Sequence, residues 1–462
     1  MINGLRPFPQ SKPSTVPWLG DVPVHWDVLR SKYAFREVDS RSTTGEETHL
    51  SMSQRLGLVP ANQVEKSLVS ESYVGAKLVV KDDLILNRLK AHLGVFAYAK
   101  EPGLISPDYT VLRPMTCANV RFFEYVLKSP ACRAELRTRA KGIVEGFWRL
   151  YTDDFYDIRL PIPPLDEQRL IVRYLDWHGA QTAKLIRAKK KIIALLNEQK
   201  QAIIHRAVTR GLDPNVRLKP SGIPWLGDVP ERWSIQSLGS MIKRRSARNR
   251  TDLPLLSVVR ERGVILRSSM SDEENHNFVP DDLSNYKVAM RGDLVINKMK
   301  AWQGSLGIAP CDGIVSPAYF VYELDIEDIA FGQMLLRSKP YVACFARVSD
   351  GVRLGQWDLS IDGMKRIPVL RPTHDEQIAI VEFVDRSTLE LERAKEFTFR
   401  EITLIQEFRT RLIADVVTGK LDVRAAAAGL PETVELEPID DLVEGDDLDE
   451  AVDDAENEEV AA

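Results

Sequence analysis

With 462 residues, the chain is long enough for roughly three folding units of ordinary size, so a single small domain is excluded. Apolar residues make up 44% and charged residues 28%, a globular balance that sets aside a fibrous repeat or wholesale disorder. The formal charge of −5 hides a division: residues 425–462 hold fifteen Asp and Glu and no Lys or Arg, so the 62 cations of residues 1–424 face 52 carboxylates and that body carries +10. A body of that sign suits a polyanionic partner. The acidic end, without apolar periodicity, reads either as a solubility tail or as a strip that competes with nucleic acid.

The start, Met1 to Thr15, is polar and proline-rich, and no apolar run approaches the roughly eighteen residues of a membrane span, so a cytoplasmic protein without a membrane partner is expected. Cys117, Cys132, Cys311 and Cys344 lie far apart with no histidine at ligand spacing, which encodes neither a disulfide frame nor a metal site and leaves them as small buried hydrophobes.

Read onward from there, the chain contains itself twice. Lys12 to Trp26, KPSTVPWLGDVPVHW, returns as KPSGIPWLGDVPERW at Lys219 to Trp233, matching at eleven of fifteen positions. DLILNRLKAHLGVF from Asp83 returns as DLVINKMKAWQGSL from Asp293, and GIVEGFWRL from Gly142 as GVRLGQWDL from Gly351. LDEQRLIVRYLD from Leu165 meets HDEQIAIVEFVD from His374, and Leu212-Asp213 meets Leu421-Asp422. A period of about 200 residues is too long for a solenoid unit, so each copy holds at least one complete domain.

Within a copy the composition changes once. The first part is rich in Gly, Pro, aromatics and short apolar runs, which predicts mixed strand and loop with some helix. From Asp166 to Thr209, and from Asp375 to Thr418, proline and glycine vanish except for Gly179, which predicts two helices of 44 residues. Ile171, Leu175, Leu185, Ile192, Leu196 and Ile203 mark the seam of the first, with His178, Thr182, Lys189 and Gln199 between them; Ile380, Val384, Leu391, Ile402, Ile405, Phe408, Leu412 and Val416 mark the second. Such a stripe predicts a two-helix coiled coil, each copy's helix partnering the other's.

Two divergent domains, each introduced by WLGxVPxxW and closed by a DEQ helix ending in VTxxLD, resemble the specificity subunit of type I restriction-modification enzymes over about residues 12 to 424. The resemblance implies an α+β fold: two homologous target recognition domains joined by two long helices that form an antiparallel coiled coil, a pseudo-two-fold internal repeat. It implies recognition domains at 16–163 and 225–372 and spacer helices at 164–212 and 373–424. A flexible N-terminus (1–15), a linker (213–224) and an acidic disordered tail (425–462) complete the division. The function implied is reading a bipartite, asymmetric DNA site, one domain per half-site, with the helices setting the gap. Implied partners are double-stranded DNA, two methyltransferase subunits and restriction/translocase subunits. No cofactor is expected on this chain, with S-adenosylmethionine, ATP and Mg on the partner subunits.

Recognition needs cations for phosphates and planar donors for base edges. The matched loops Asn87 to Gly94 and Asn297 to Gly304 offer Arg88, Lys90 and His92 in one copy, and Lys298, Lys300, Trp302 and Gln303 in the other. Alternation along an extended segment would put Arg88 with Lys90, and Lys298 with Lys300, on one face; the plain alternative is solvated charge beside a turn. Gly146-Phe147-Trp148-Arg149 and Gly355-Gln356-Trp357-Asp358 read as core tryptophans in preference to base-stacking ones, with Arg149 and Gln356 as polar members to test. Lys243, Arg244 and Arg245, followed by Arg248 and Arg250, read as a phosphate rail or a surface loop, unmatched in Ser40 to Thr48. Trp18, Trp225 and the DEQ carboxylates read as packing and helix-start residues.

No catalytic residue is assigned. The sequence carries no GxxxxGK[ST] loop, no GxGxxG cradle between strand and helix and no Asn-Pro-Pro-aromatic tetrapeptide, so bond-making is expected of partners. The alternatives are a standalone sequence-specific or architectural DNA-binding protein, and a fused nuclease whose site is too dispersed to see.

Overall fold

The two copies share the same sheet order in a computed structural model that describes residues 5–53, 57–64, 73–142, 148–260, 262–270, 279–280, 282–353 and 356–432. Most of the acidic tail, from residue 433 on, lies outside the described residues. In the first copy an antiparallel sheet runs in the order Phe35–Val38, Thr110–Pro114, Leu84–Leu86, Phe96–Tyr98. In the second the order is Ile242–Arg244, Tyr319–Leu324, Leu294–Asn297, Leu306–Ile308.

Both faces of each sheet are covered, which is why the strands read as continuous apolar runs. Alternation divides the side chains: Leu84, Leu86, Phe96 and Leu112 join the larger core, while Ile85, Ala97 and Val111 turn to a smaller one with Leu50, Leu58 and Val79. The second copy divides the same way, with Leu294, Ile296 and Leu306 on one side and Val295, Val315 and Val321 on the other. Two short helices pack on the larger core in each copy: Val120–Lys128 and Pro130–Arg139, then Ile329–Leu336 and Lys339–Arg347. Asn119 and Asp328 cap the first of each pair by accepting backbone N–H groups.

The predicted long helices are present as Leu165–Arg210 and His374–Val417. Prolines stop the strands before them, and the second opens on a reciprocal cap in which Thr373 Oγ1 accepts from Glu376 N and Thr373 N donates to Glu376 Oε2. The DEQ glutamines are wholly buried. Gln168 donates to the carbonyls of Cys117 and Pro163 and accepts from Asn119 N, which ties the helix start to the cap of the short helix. Gln377 does the same with Pro372 and Asp328. The carboxylate beside Gln168 is structural too: Glu167 accepts from Trp26 Nε1 at 2.9 Å and lies 2.8 Å from His25 Nε2.

Contacts divide the chain into two units, Met1–Lys190 with Phe399–Ala462, and Lys191–Thr398, so each long helix contributes to both. In the first unit, the His178 ring packs on Phe408 and Lys189 reaches Glu401 at 2.8 Å; partners recede on one helix as they advance on the other, so the pairing is antiparallel. In the second, Lys200 meets Glu392 at 2.7 Å. The seam differs from expectation by one residue in places. Leu185 and Ile192 are each 46% exposed, while Ile193 and Ile204 are buried at 8%. Drift of a 3.6-residue helix against a 3.5-residue repeat produces such a slip, and polar residues let it happen: Thr182, Thr388 and Thr398 are buried in the stripe. Phe408, 38% exposed, lies at the margin of its seam.

Each long helix ends on a left-handed glycine, Gly211 (φ +73°) or Gly419 (φ +77°), that lands on the tryptophan closing a WLGDVPxxW motif. A Cβ on Gly211 would lie 3.3 Å from Trp233, and one on Gly419 would collide with Pro23 and meet Trp26 at 3.0 Å. Just beyond, Asp422 N donates to Arg6 O at 2.8 Å, and Leu5 and Phe8 pack with Val423 and Ala427. Arg6 and Asp422 occupy the place where, in the second copy, the peptide runs unbroken from Asp213 towards Lys219. A variant joining Glu432 to Leu5 by a flexible glycine-serine linker and opened at the exposed Asn215 is expected to unfold cooperatively within a few degrees of the natural chain, measured by calorimetry; loss of a cooperative transition contradicts this closure.

Candidate nucleic-acid interface

The matched loops are turns, not extended segments. Asn87 Oδ1 accepts the N–H groups of Leu89 and Lys90 at 3.1 and 3.2 Å, and Asn297 Oδ1 accepts that of Met299 at 3.2 Å. A single 3-10 turn follows, Ala91–Leu93 or Ala301–Gln303, closed by Gly94 (φ +81°) or Gly304 (φ +88°) against a short helix. Strand alternation therefore does not set the direction of the loop cations.

Arg88 turns back into its sheet: Nε donates to Thr110 Oγ1 at 2.6 Å and the guanidinium lies 3.4 Å from Glu37. Lys90 is half-buried, and the side chain of His92 lies outside the described residues. In the second copy Lys298 reaches Asp358 at 3.4 Å, Lys300 is exposed, and Gln303 is half-buried. The loops meet the second pair of candidate motifs: Leu150 N donates to Arg88 O and Leu359 N to Lys298 O, both at 3.0 Å. Trp302 packs on Trp357 with ring centroids 4.8 Å apart.

The tryptophans of that second pair are not core residues. Trp148 is half-buried beneath the Arg137 guanidinium, 4.9 Å away, and Trp357 is half-buried against Trp302. The fully buried ones are Trp26 and Trp233, with Trp18 and Trp225 packed at the core margins. Arg149 is exposed, its backbone bridged to Lys141. Gly146, Phe147 and Gly355 lie outside the described residues, as does the side chain of Gln356.

The basic run divides. Lys243 and Arg244 are exposed, Arg244 standing over the Phe320 ring at 5.8 Å. Arg245 is no rail member: it grips the buried Asp293 with two hydrogen bonds, at 2.6 and 3.1 Å, and that hydrogen bonding holds its guanidinium above the usual range. The first copy satisfies the equivalent Asp83 from another strand, with Arg113 at 2.9 Å twice. Arg250 is paired with Asp252.

Sequence reasoning passed over two buried lysines. Lys77 Nζ donates to Tyr109 O at 2.7 Å and Lys287 Nζ to Tyr319 O at 2.6 Å; burial first, then neighbouring cations, pushes both ammonium groups down. Their match in the repeat, a lysine six residues before the last Asp of KLVVKDDL and KVAMRGDL, was the available signal. Among the described residues no group of His, Cys, Asp and Glu could hold a metal, and no helix is long and apolar enough to cross a membrane. All four cysteines are free; Cys132 and Cys344 are buried, but Cys117 and Cys311 only half so, contrary to expectation.

Replacing Arg245 with Met strands the Asp293 carboxylate. A loss of about 2–3 kcal/mol in denaturant unfolding is expected, below the full cost of a fully buried pair because the arginine is partly exposed. Lys300→Ala, on an exposed side chain, is expected to stay within about 0.5 kcal/mol of the natural chain. Equal losses for the two contradict this division into structural and exposed cations.

Residues 58–195 match the family model described as "Type I restriction modification DNA specificity domain". Two curated relatives come from Methanocaldococcus jannaschii. The type I restriction enzyme MjaVIII specificity subunit is 30% identical over 113 residues, 24% of each chain, and the putative type I restriction enzyme MjaX specificity subunit is 31% identical over 83 residues, 18% of each chain. The chain thus spans a quarter or less of the length of these relatives. A solved structure concerned with complex assembly and conformational transition of the type I R-M system shares the fold at 14% identity, with a TM-score of 0.58, over 86% of this chain and 98% of that one. The resemblance carried by the doubled motifs therefore holds where the family model matches: residues 58–195 carry a type I restriction-modification DNA specificity domain.

Proposed function

We propose that this chain is the DNA-reading, non-catalytic subunit of a type I restriction-modification complex, with one recognition module for each half of a bipartite site. The observation that carries the reading is the duplication: two modules share a frame yet present different loops, Arg88, Lys90 and His92 against Lys298, Lys300, Trp302 and Gln303. Unlike modules on one chain read unlike half-sites, so the site is asymmetric. Cations near the loops take phosphates and orient the duplex, while Gln303, Arg149 and Gln356 are candidates for base edges.

Bond-making falls to partners, two methyltransferase subunits and restriction/translocase subunits, which bring S-adenosylmethionine, ATP and Mg. Apolar side chains left exposed on the long helices support a docking role: Phe383, Phe397 and Leu404 stand at 41%, 64% and 63% exposure at heptad spacing on the second helix. The helices set the gap between half-sites by their length.

Expressed with its neighbouring methyltransferase gene, the full chain is expected to co-purify in a two-to-one assembly and to direct adenine methylation at a bipartite sequence, read by long-read sequencing. Recovery of the chain alone, with no modified bases, refutes the reading in favour of a standalone DNA binder. Adding four residues between Leu185 and Glu198, with a matching addition in the second helix, is expected to change the gap and leave both half-sites; altered half-sites refute the ruler.

A further inference from the structure

The sheet registers expose a reversal of charge between the two modules. In the first, Leu84 stands opposite Leu112, which stands opposite Glu37 on the edge strand. In the second, Leu294 stands opposite Tyr322, which stands opposite Arg244. Glu37 and Arg244 are therefore equivalent, and two residues on, Asp39 corresponds to Ser246. Arg41 and Arg248 correspond as well, since each bridges to its module's buried lysine, Lys77 or Lys287. Arg88 and Lys298 complete the set through the loop repeat.

The first module neutralises its cluster internally. Arg41 lies 3.1 Å from Asp39, Lys77 4.0 Å from Asp39, and Arg88 3.4 Å from Glu37. The second keeps the cations and loses both carboxylates. Arg244 and Lys287 stand over the same Phe320 ring, at 5.8 and 6.0 Å, and Arg248 is bridged to Lys287 through the backbone; among the described residues the only ion pair on Lys287, Arg244, Arg248 or Lys298 is that of Lys298 with Asp358, at 3.4 Å, Asp358 being 65% exposed. Lys287 is 9% exposed and spends one of its three donors on Tyr319 O. A buried ammonium among three like charges is unfavourable unless an anion joins it.

We propose that this cluster is a seat for a phosphate oxyanion, filled by a backbone phosphate of DNA, and that it makes the second module the main electrostatic anchor while the first binds more weakly. The DNA part rests on the function proposed above. A phosphate suits the site because its oxygens accept from several cations at once, and Arg244, exposed over Phe320, offers a planar fork to it.

The test exchanges the two patterns in the full chain. Each phosphate contact contributes about 0.9 to the slope of log K against log salt. For a random-sequence duplex, Arg244→Glu with Ser246→Asp is expected to lower the slope by about 1–2 and to weaken binding about tenfold or more at moderate salt. Glu37→Arg with Asp39→Ser is expected to raise it by a similar amount. If the natural chain binds and both exchanges leave the slope unchanged, the seat is wrong while the DNA reading survives. If the natural chain does not bind duplex at all, the DNA reading fails first, and inorganic pyrophosphate at matched ionic strength judges the seat. A larger rise in melting temperature for the natural chain than for the Arg244→Glu, Ser246→Asp variant upholds an oxyanion seat; equal rises sink it.

Discussion

Each core is finished by a helix end that belongs to the other repeat. Leu412, Val416 and Val417 of the second long helix lie in the same core as Trp26, Phe122 and Leu84, and Ile204, Ala207 and Val208 of the first lie with Trp233, Phe331 and Leu294. Neither module is complete without the far end of the opposite helix. Burying a tryptophan under a helix terminus is a large apolar contribution, of the order of 3 kcal/mol for one large side chain. The WLGDVPxxW and VTxxLD motifs recur together because they are the two sides of that contact.

The two ends of the first module are tied together in the same way. Asp422 and Arg6 hold by hydrogen bonding what Asp213 and the residues after it hold covalently. The helix starts are tied as firmly, through Gln168 and Gln377, whose side chains bond on both edges to their own module. A residue type that donates and accepts at once is required there, which is why the third letter of DEQ recurs, while Asp166 and Asp375 remain exposed.

Repeats, long helices and the motif pairs were legible in the sequence because a 200-residue offset and an absence of proline and glycine are patterns of many residues. The details that escaped depend on single side chains meeting across the fold. Asn87 and Asn297 turn a segment that periodicity reads as extended, and polar positions in the seam let Ile193 replace Ile192. Arg245 looked like one more surface cation because its partner, Asp293, lies 48 residues away in sequence. Trp148 and Trp357 looked like core because most recurring tryptophans are; here the recurring core pair is Trp26 and Trp233.

Arg113 and Arg245 show how such a frame tolerates divergence at its surface. Asp83 and Asp293 are fixed by the turns they close, accepting from Val80 N and Met290 N, and a buried carboxylate must have a cation. Yet the cation comes from a central strand in one copy and from beside the edge strand in the other. Once Arg245 serves Asp293, the position equivalent to Arg113 is released to become Glu323, and the edge strand is free to carry Arg244 where its twin carries Glu37. The demand is for a charge at a point in space, not for a residue at a point in the chain. Two modules can therefore keep one core while the charge on their surfaces diverges.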